Sequence, residues 1–152
     1  MNEKELQKLV EQISLNYFKR PFLHKVKINK RMRTTGGRYF LDDHRIEING
    51  HFLAPQYHEA LIGIIKHELT HYHLHLMGKG YQHRNRDFKQ LLVKVGGSRY
   101  APDIGLRRKT KINYVYQCKN CGLLYPRVRR INTRRYFCGK CGGKLYIIKS
   151  KN

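Results

Sequence analysis

The four cysteines of this chain come as two C-x-x-C pairs, Cys118-Lys119-Asn120-Cys121 and Cys138-Gly139-Lys140-Cys141, with 16 residues between them. Few spacings constrain a fold as tightly. Each pair offers two thiolates to one tetrahedral zinc ion, and two pairs at this separation close the site. Gly122 and Gly142 follow the two knuckles and tolerate the tight backbone that turns amides toward sulfur. Tyr114-Val115-Tyr116 leads into the first knuckle and Leu145-Tyr146-Ile147-Ile148 leads out of the second, both in strand-like runs. A zinc ribbon is expected over 113–152, held by one structural Zn²⁺ on Cys118, Cys121, Cys138 and Cys141. A redox C-x-x-C would need a βαβ context, and none surrounds these pairs.

A second metal pattern lies upstream. His67-Glu68-Leu69-Thr70-His71 reads H-E-x-x-H inside a run, from Pro55 to about Met77, that has the length and apolar content of a buried helix. Residues four apart share one helical face, so the two imidazoles can bind one zinc ion while Glu68 reaches a water as general base. Leu61, Ile62, Ile64 and Ile65 bury the helix, and a buried Glu between two His needs a polar partner.

Three protein ligands and an open position define a catalytic zinc. His75 is too far to be the third, because eight residues of helix separate it from His67 by about 12 Å. His73 points elsewhere, and no Glu follows Glu68. His83, Asp87 and Asp103 remain. His83 is favoured because Gly78 and Gly80 break the helix and let the chain turn back. Asp87 could instead orient an imidazole. Tyr72, Tyr81 or a His could steady an oxyanion. The strand over Arg38–Leu41 or that over Arg45–Ile48 could offer an edge to an extended peptide.

Charge speaks to partners. The chain of 152 residues carries 32 Lys+Arg against 10 Asp+Glu, a formal +22. Residues 104–152 hold 14 of the cations and no acid. Between the knuckles Arg127, Arg129, Arg130, Arg134 and Arg135 lie in a run bounded by the aromatic residues Tyr125, Tyr136 and Phe137, a composition suited to phosphate contacts and base stacking. Nucleic acid is the expected partner beside a protein substrate. A membrane is not, since no apolar run approaches the ~20 residues of a spanning helix. The polar start, Met1-Asn2-Glu3-Lys4-Glu5, has no signal-peptide core behind it, so a cytoplasmic location is expected.

The rest of the chain supplies a scaffold. Leu6, Leu9, Val10, Ile13 and Tyr17 recur at helical spacing, with Pro21 as the expected stop. Short strands are expected at Val26–Ile28, Arg38–Leu41 and Arg45–Ile48, with a turn at Gly36-Gly37. Another helix fits Asn85–Val95, ended by Gly96-Gly97.

These residues resemble the SprT-like zinc metallopeptidases, whose eukaryotic relatives are the Spartan-type proteases that cleave proteins crosslinked to DNA. The resemblance runs through Arg33-Thr34-Thr35-Gly36-Gly37-Arg38, Ile46-Glu47-Ile48-Asn49, the helix ending in His67-Glu68-Leu69-Thr70-His71, His83, Asp87-Phe88 and the ribbon. It implies that His67, His71 and His83 bind a catalytic Zn²⁺ and that Glu68 is catalytic. The fold expected is α+β: a zincin-like unit (helix, small antiparallel sheet, active-site helix) over 1–103, a basic linker over 104–112 and the ribbon. The function expected is a zinc-dependent endopeptidase acting on nucleic-acid-associated proteins. The rival is a nucleic-acid-binding zinc protein without significant peptidase activity.

Overall fold

A computed structural model describes residues 1–151, with the chain divided into two compact units, Met1–Arg107 and the residues from Arg108 onward. The first opens on α1 (Glu3–Ile13). Asn2 caps it: its side chain accepts from the Glu5 amide at 3.0 Å, and the Glu5 carboxylate accepts from the Asn2 amide at 2.8 Å. Two amides that a helix start leaves open are thereby satisfied. Leu6, Val10 and Ile13 form its buried stripe. The helix runs on as a π turn over Ser14–Phe18 and stops at Lys19, whose φ of 56° cannot continue it. The stop comes ahead of Pro21.

Three short strands follow, β1 (Val26–Asn29), β2 (Gly37–Tyr39) and β3 (Ile46–Asn49), in the order β1-β3-β2. β2 pairs antiparallel with β3, but β1 pairs with it in parallel. The small sheet is therefore mixed where an antiparallel one was expected. A tight turn joins β2 to β3 and forces them to oppose, whereas β1 reaches β3 through a longer connection and is free to run alongside. Ile46 and Ile48, both fully buried, put β3 in the centre. Its expected role as a peptide-binding edge is excluded by pairing on both sides. The outer edge of β1 is covered from α1: Gln7 Oε1 accepts from Val26 N at 2.9 Å and Glu3 Oε1 from Ile28 N at 3.1 Å. β2 forms the opposite edge.

Two 3-10 turns, Gly50–Leu53 and Pro55–Tyr57, lead into the central α2 (His58–Leu76). Leu61, Ile64, Ile65, Leu69 and Tyr72 of α2 join Leu6, Val10, Ile46, Ile48 and Phe52 in the main core. Full burial of side chains of this size stabilises by about 1.5–3 kcal/mol each. α3 (Arg86–Val95) packs Phe88 and Leu92 with Leu74 of α2 and ends at Gly96.

The second unit is an antiparallel sheet of β4 (Tyr114–Cys118), β5 (Leu124–Arg127) and β6 (Leu145–Lys149), in the order β5-β4-β6. Its buried core is Tyr116, Cys118, Cys138 and Leu145. β5 went unseen in the sequence because Pro126 interrupts the strand pattern, which an edge strand tolerates. Helices, two small sheets and a terminal four-cysteine cluster make up the α+β fold expected. Among the described residues no helix is long and apolar enough to cross a membrane.

Candidate functional site

His67 and His71 project from α2 toward α3, and His83 meets them from the loop that follows Gly78 and Gly80. The three Nε2 atoms lie 2.9, 3.0 and 3.2 Å apart. His67 and His71 cannot hydrogen-bond each other there. His67 Nδ1 is 2.7 Å from the Ser98 carbonyl and His71 Nδ1 is 2.6 Å from the Tyr81 carbonyl. A carbonyl only accepts, so each Nδ1 carries the proton and each Nε2 presents a lone pair. Burial pushes the His71 pKa down to about 4 and that of His67 below its ordinary value, keeping both rings neutral. Convergent lone pairs repel unless something electrophilic sits among them. Phe88 packs against all three rings, with centroids 4.4–5.3 Å away.

A missing side chain positions Ser98. A Cβ on Gly63 would collide with the Ser98 hydroxyl and come within 3.0 Å of its Cβ. Because Gly63 has none, Ser98 N donates to the Gly63 carbonyl at 3.1 Å, and the next turn of α2 brings His67 to the Ser98 carbonyl.

Glu68, one residue along the helix from His67, lies against β2. A Cβ on Gly37 would lie 2.9 Å from Glu68 Cγ and 3.2 Å from Oε1, so Gly36-Gly37, expected as a turn, instead lets the strand lie on the helix. Burial raises the Glu68 pKa to about 8, with the Tyr39 backbone N–H pulling the other way. The carboxyl opens on a cleft of about 820 Å³ that β2, the three imidazoles and residues 98–101 line.

The second cluster gathers Cys118, Cys121, Cys138 and Cys141, with ligand atoms all within 4.8 Å of one another. Cys118 Sγ lies 3.4 Å from Cys141 Sγ, and Cys121 Sγ lies 3.6 Å from Cys138 Sγ. The amides of Asn120 and Cys121 point at Cys118 Sγ at 3.4 and 3.5 Å, and that of Gly143 at Cys141 Sγ at 3.4 Å. The Tyr125 hydroxyl donates to Cys138 Sγ at 3.0 Å and lowers that thiol to about 6.

Residues 6–111 match the SprT-like family, and residues 113–149 match the SprT-like zinc ribbon domain. The chain belongs to the SprT-like family. It is 57% identical over 145 residues, 95% of each chain, to the protein SprT-like of Bacillus cereus strain G9842. It is 53% identical over 149 residues, 98% of each chain, to the proteins of that name from Bacillus cereus strain 03BB102 and Bacillus anthracis strain CDC 684.

In this SprT-like chain the ribbon and its four thiols support zinc as a metal it binds. The histidine cluster fits the same ion: three neutral nitrogens near the ~3.3 Å spacing that tetrahedral bonds of ~2.0–2.1 Å impose, with the cleft on the remaining side. The other ligand candidates are engaged elsewhere. Asp87 accepts from Gly80 N at 3.0 Å and Asp103 from Gly105 N at 2.9 Å. Tyr72, considered for an oxyanion, is fully buried outside the cleft, with its hydroxyl on Leu23 N and His24 Nδ1. Tyr81 does line the cleft. Arg127, Arg129, Arg130, Arg134 and Arg135 are all exposed. Three of these stack within the ribbon: Arg127 on Tyr125, Arg130 on Tyr114 and Arg135 on Tyr136, 5.3–5.7 Å from the ring centroids. Gly63, Ser98 and the contact of Tyr125 with Cys138 were missed in the sequence. Only Gly63, a lone glycine in an apolar helix, left a signal there.

Proposed function

We propose that the chain is a zinc-dependent endopeptidase acting on nucleic-acid-associated proteins, with residues 1–103 as the peptidase unit, 104–112 as a linker and 113–152 as the nucleic-acid contact. The observation that carries it is the pairing of three convergent imidazole Nε2 atoms with a buried carboxyl at a sheet edge. His67, His71 and His83 would hold the catalytic zinc; Cys118, Cys121, Cys138 and Cys141 the structural one. Zinc on the three imidazoles supplies a Lewis acid at the head of the cleft.

The chain's own groups do the rest. Glu68 takes a proton from the attacking water and hands it to the leaving amine. A carboxyl whose proton affinity burial has raised is suited to both tasks. The Ser98 and Tyr81 carbonyls hold two imidazoles in one tautomer throughout. β2 offers its free edge to an extended peptide, whose backbone pairs there and passes Glu68; the β1 edge is taken by Glu3 and Gln7. Phe88 shields the imidazoles from water on their far side. The five exposed arginines of the ribbon contact phosphates, with DNA the nucleic acid assigned, and reduced thiolates suit a cytoplasmic setting.

Glu68→Gln tests the reading. The variant should keep its zinc, since Glu68 is not a ligand here, and lose about 10²–10⁴-fold in proteolysis of a protein substrate, measured with and without DNA. Proteolysis equal in wild type and variant would remove the peptidase assignment. With DNA binding retained, the chain would then be a nucleic-acid-binding zinc protein.

A further inference from the structure

The cleft beside Glu68 carries cationic side chains and no carboxylate besides Glu68 itself. Apart from Glu68, the three imidazoles and tyrosines, its ionisable lining is Arg38, Arg99 and Arg107. Arg38 stands on β2 next to the glycine that faces Glu68. Arg99 follows Ser98, the residue that holds His67, so the docking at Gly63 places both. All three arginines are exposed. Among the described residues none is ion-paired; the side-chain ion pairs are those of Arg45 with Asp43 and Glu47. Aromatic rings brace two of them without neutralising them: Arg38 lies over Phe40 at 4.9 Å and Arg99 over Tyr100 at 5.1 Å. The Arg99 charge reaches all three imidazoles, where it adds to burial in disfavouring their protonation.

We propose that this cleft selects extended peptide carrying Asp or Glu beside the scissile bond, with the substrate carboxylates held by Arg38, Arg99 and Arg107. The inference rests on the peptidase reading and adds a substrate class to it. A free guanidinium presents a planar fork of donors that matches a carboxylate. Phosphate oxygens would fit the same fork. The cleft favours peptide because one of its walls is the β2 edge, whose amides and carbonyls pair with a backbone that nucleic acid does not have. A formal charge of +22 on the chain also draws acidic segments toward it.

The test uses the full zinc-loaded chain and a peptide library made from a whole proteome, with cut sites read by mass spectrometry. Asp and Glu should be enriched in the positions flanking the cut, by roughly three- to fivefold, the worth of an exposed charge pair. Lys and Arg should be depleted, and both effects should shrink as salt rises. The triple variant Arg38→Glu/Arg99→Glu/Arg107→Glu should invert the preference. Flanks that match the library average, or that favour Lys and Arg, would overturn the inference and leave the peptidase reading standing. If nothing is cut, that reading fails, and binding decides the inference alone. Fluorescent Glu-rich peptides should then bind Glu68→Gln protein more tightly than Lys-rich ones, and equal binding would overturn it. Displacement of the acidic peptide by a single-stranded oligonucleotide, in protein with its five ribbon arginines changed to Ser, would assign the cleft arginines to phosphate and likewise overturn it.

Discussion

The two ligand clusters rest on opposite kinds of scaffold. In the first unit thirteen fully buried hydrophobic residues form one core around α2. The histidines are fixed on that framework by carbonyls of Ser98 and Tyr81, so the fold comes first and the site is a consequence. In the second unit four residues are fully buried in the core, and two of them, Cys118 and Cys138, belong to the four-thiol cluster. A core that small cannot offset the entropy of ordering some forty residues. There a metal on the four thiols is expected to make the fold. One chain thus holds one donor cluster set on a large core and another that supplies half of a small one.

Zinc removal breaks the comparison most directly. A strong chelator, or Cys138→Ser, should unfold the second unit, because thiolate coordination carries the folding free energy of such modules. The helical circular dichroism should persist, since α1, α2 and α3 all lie in the first unit. Loss of that signal together with the ribbon would show that the first unit also depends on metal. Next in size is the charge contrast. The ribbon arginines are exposed, and no acid follows Asp103. Changing all five to Ser should lower nucleic-acid affinity steeply at low salt. The slope of log K against log salt should flatten by about 0.7–0.9 for each phosphate the variant no longer neutralises. An unchanged slope in a filter-binding titration would move the binding surface to Lys25, Lys27, Lys30, Arg31 and Arg33 of the first unit.

What was legible in the sequence was local. The pairs His67/His71, Cys118/Cys121 and Cys138/Cys141 lie within one turn or knuckle, so spacing alone places their ligand atoms near one another. β3 was legible through the alternation of Ile46 and Ile48. The choice among His83, Asp87 and Asp103 depends on how a loop returns, and in the structure Asp87 and Asp103 bond to backbone amides instead. The carbonyl that orients His67 lies 31 residues away, a separation at which no periodicity carries information. Gly36-Gly37 illustrates a different limit. A glycine needed for an open φ and one needed for an absent Cβ look identical in a sequence. The pair was expected as a turn, and a close approach to Ile64 and Glu68 is what the structure uses it for.

The smaller predictions test whether each site's supporting contacts behave as its scaffold implies. Gly63→Ala adds a methyl group that meets Ser98. On an exposed helix this change would stabilise by up to about 1 kcal/mol. Here the overlap should reverse the sign and cost about 1–3 kcal/mol, because the Gly97–Ser98 segment has to move. That movement releases His67 Nδ1, and zinc affinity at the histidine site should fall about 10–100-fold, the usual worth of a partner that orients a ligand. Ser98→Gly in the same background removes the obstructing side chain, keeps the carbonyl and should restore affinity. A stabilised Gly63→Ala protein with unaltered zinc affinity would mean that Ser98 does not position the ligand.

Tyr125→Phe is the counterpart in the ribbon. It deletes a hydroxyl that donates to Cys138 Sγ at 3.0 Å and accepts from Gly139 N at 3.0 Å. Zinc affinity at the four-thiol site should drop about tenfold, the low end of the range for such a partner, because three other thiolates and their amides remain. The sign of the pH dependence follows from the thiol. Tyr125 holds Cys138 down at about 6 from an ordinary 9, favouring the thiolate that binds metal. Without the hydroxyl the thiol rises toward its ordinary value. Protons then compete with zinc over a wider range, and the deficit of the variant should grow as pH falls from 9 toward 6. With the four-thiol site as the proposed organiser of this unit, the loss should appear as unfolding of the ribbon at a higher pH than in wild type, with the first unit unaffected. A pH-independent deficit in a competition titration against a zinc chelator would assign the Tyr125 hydroxyl to packing at Gly139 and leave the acidity of Cys138 to its backbone amides.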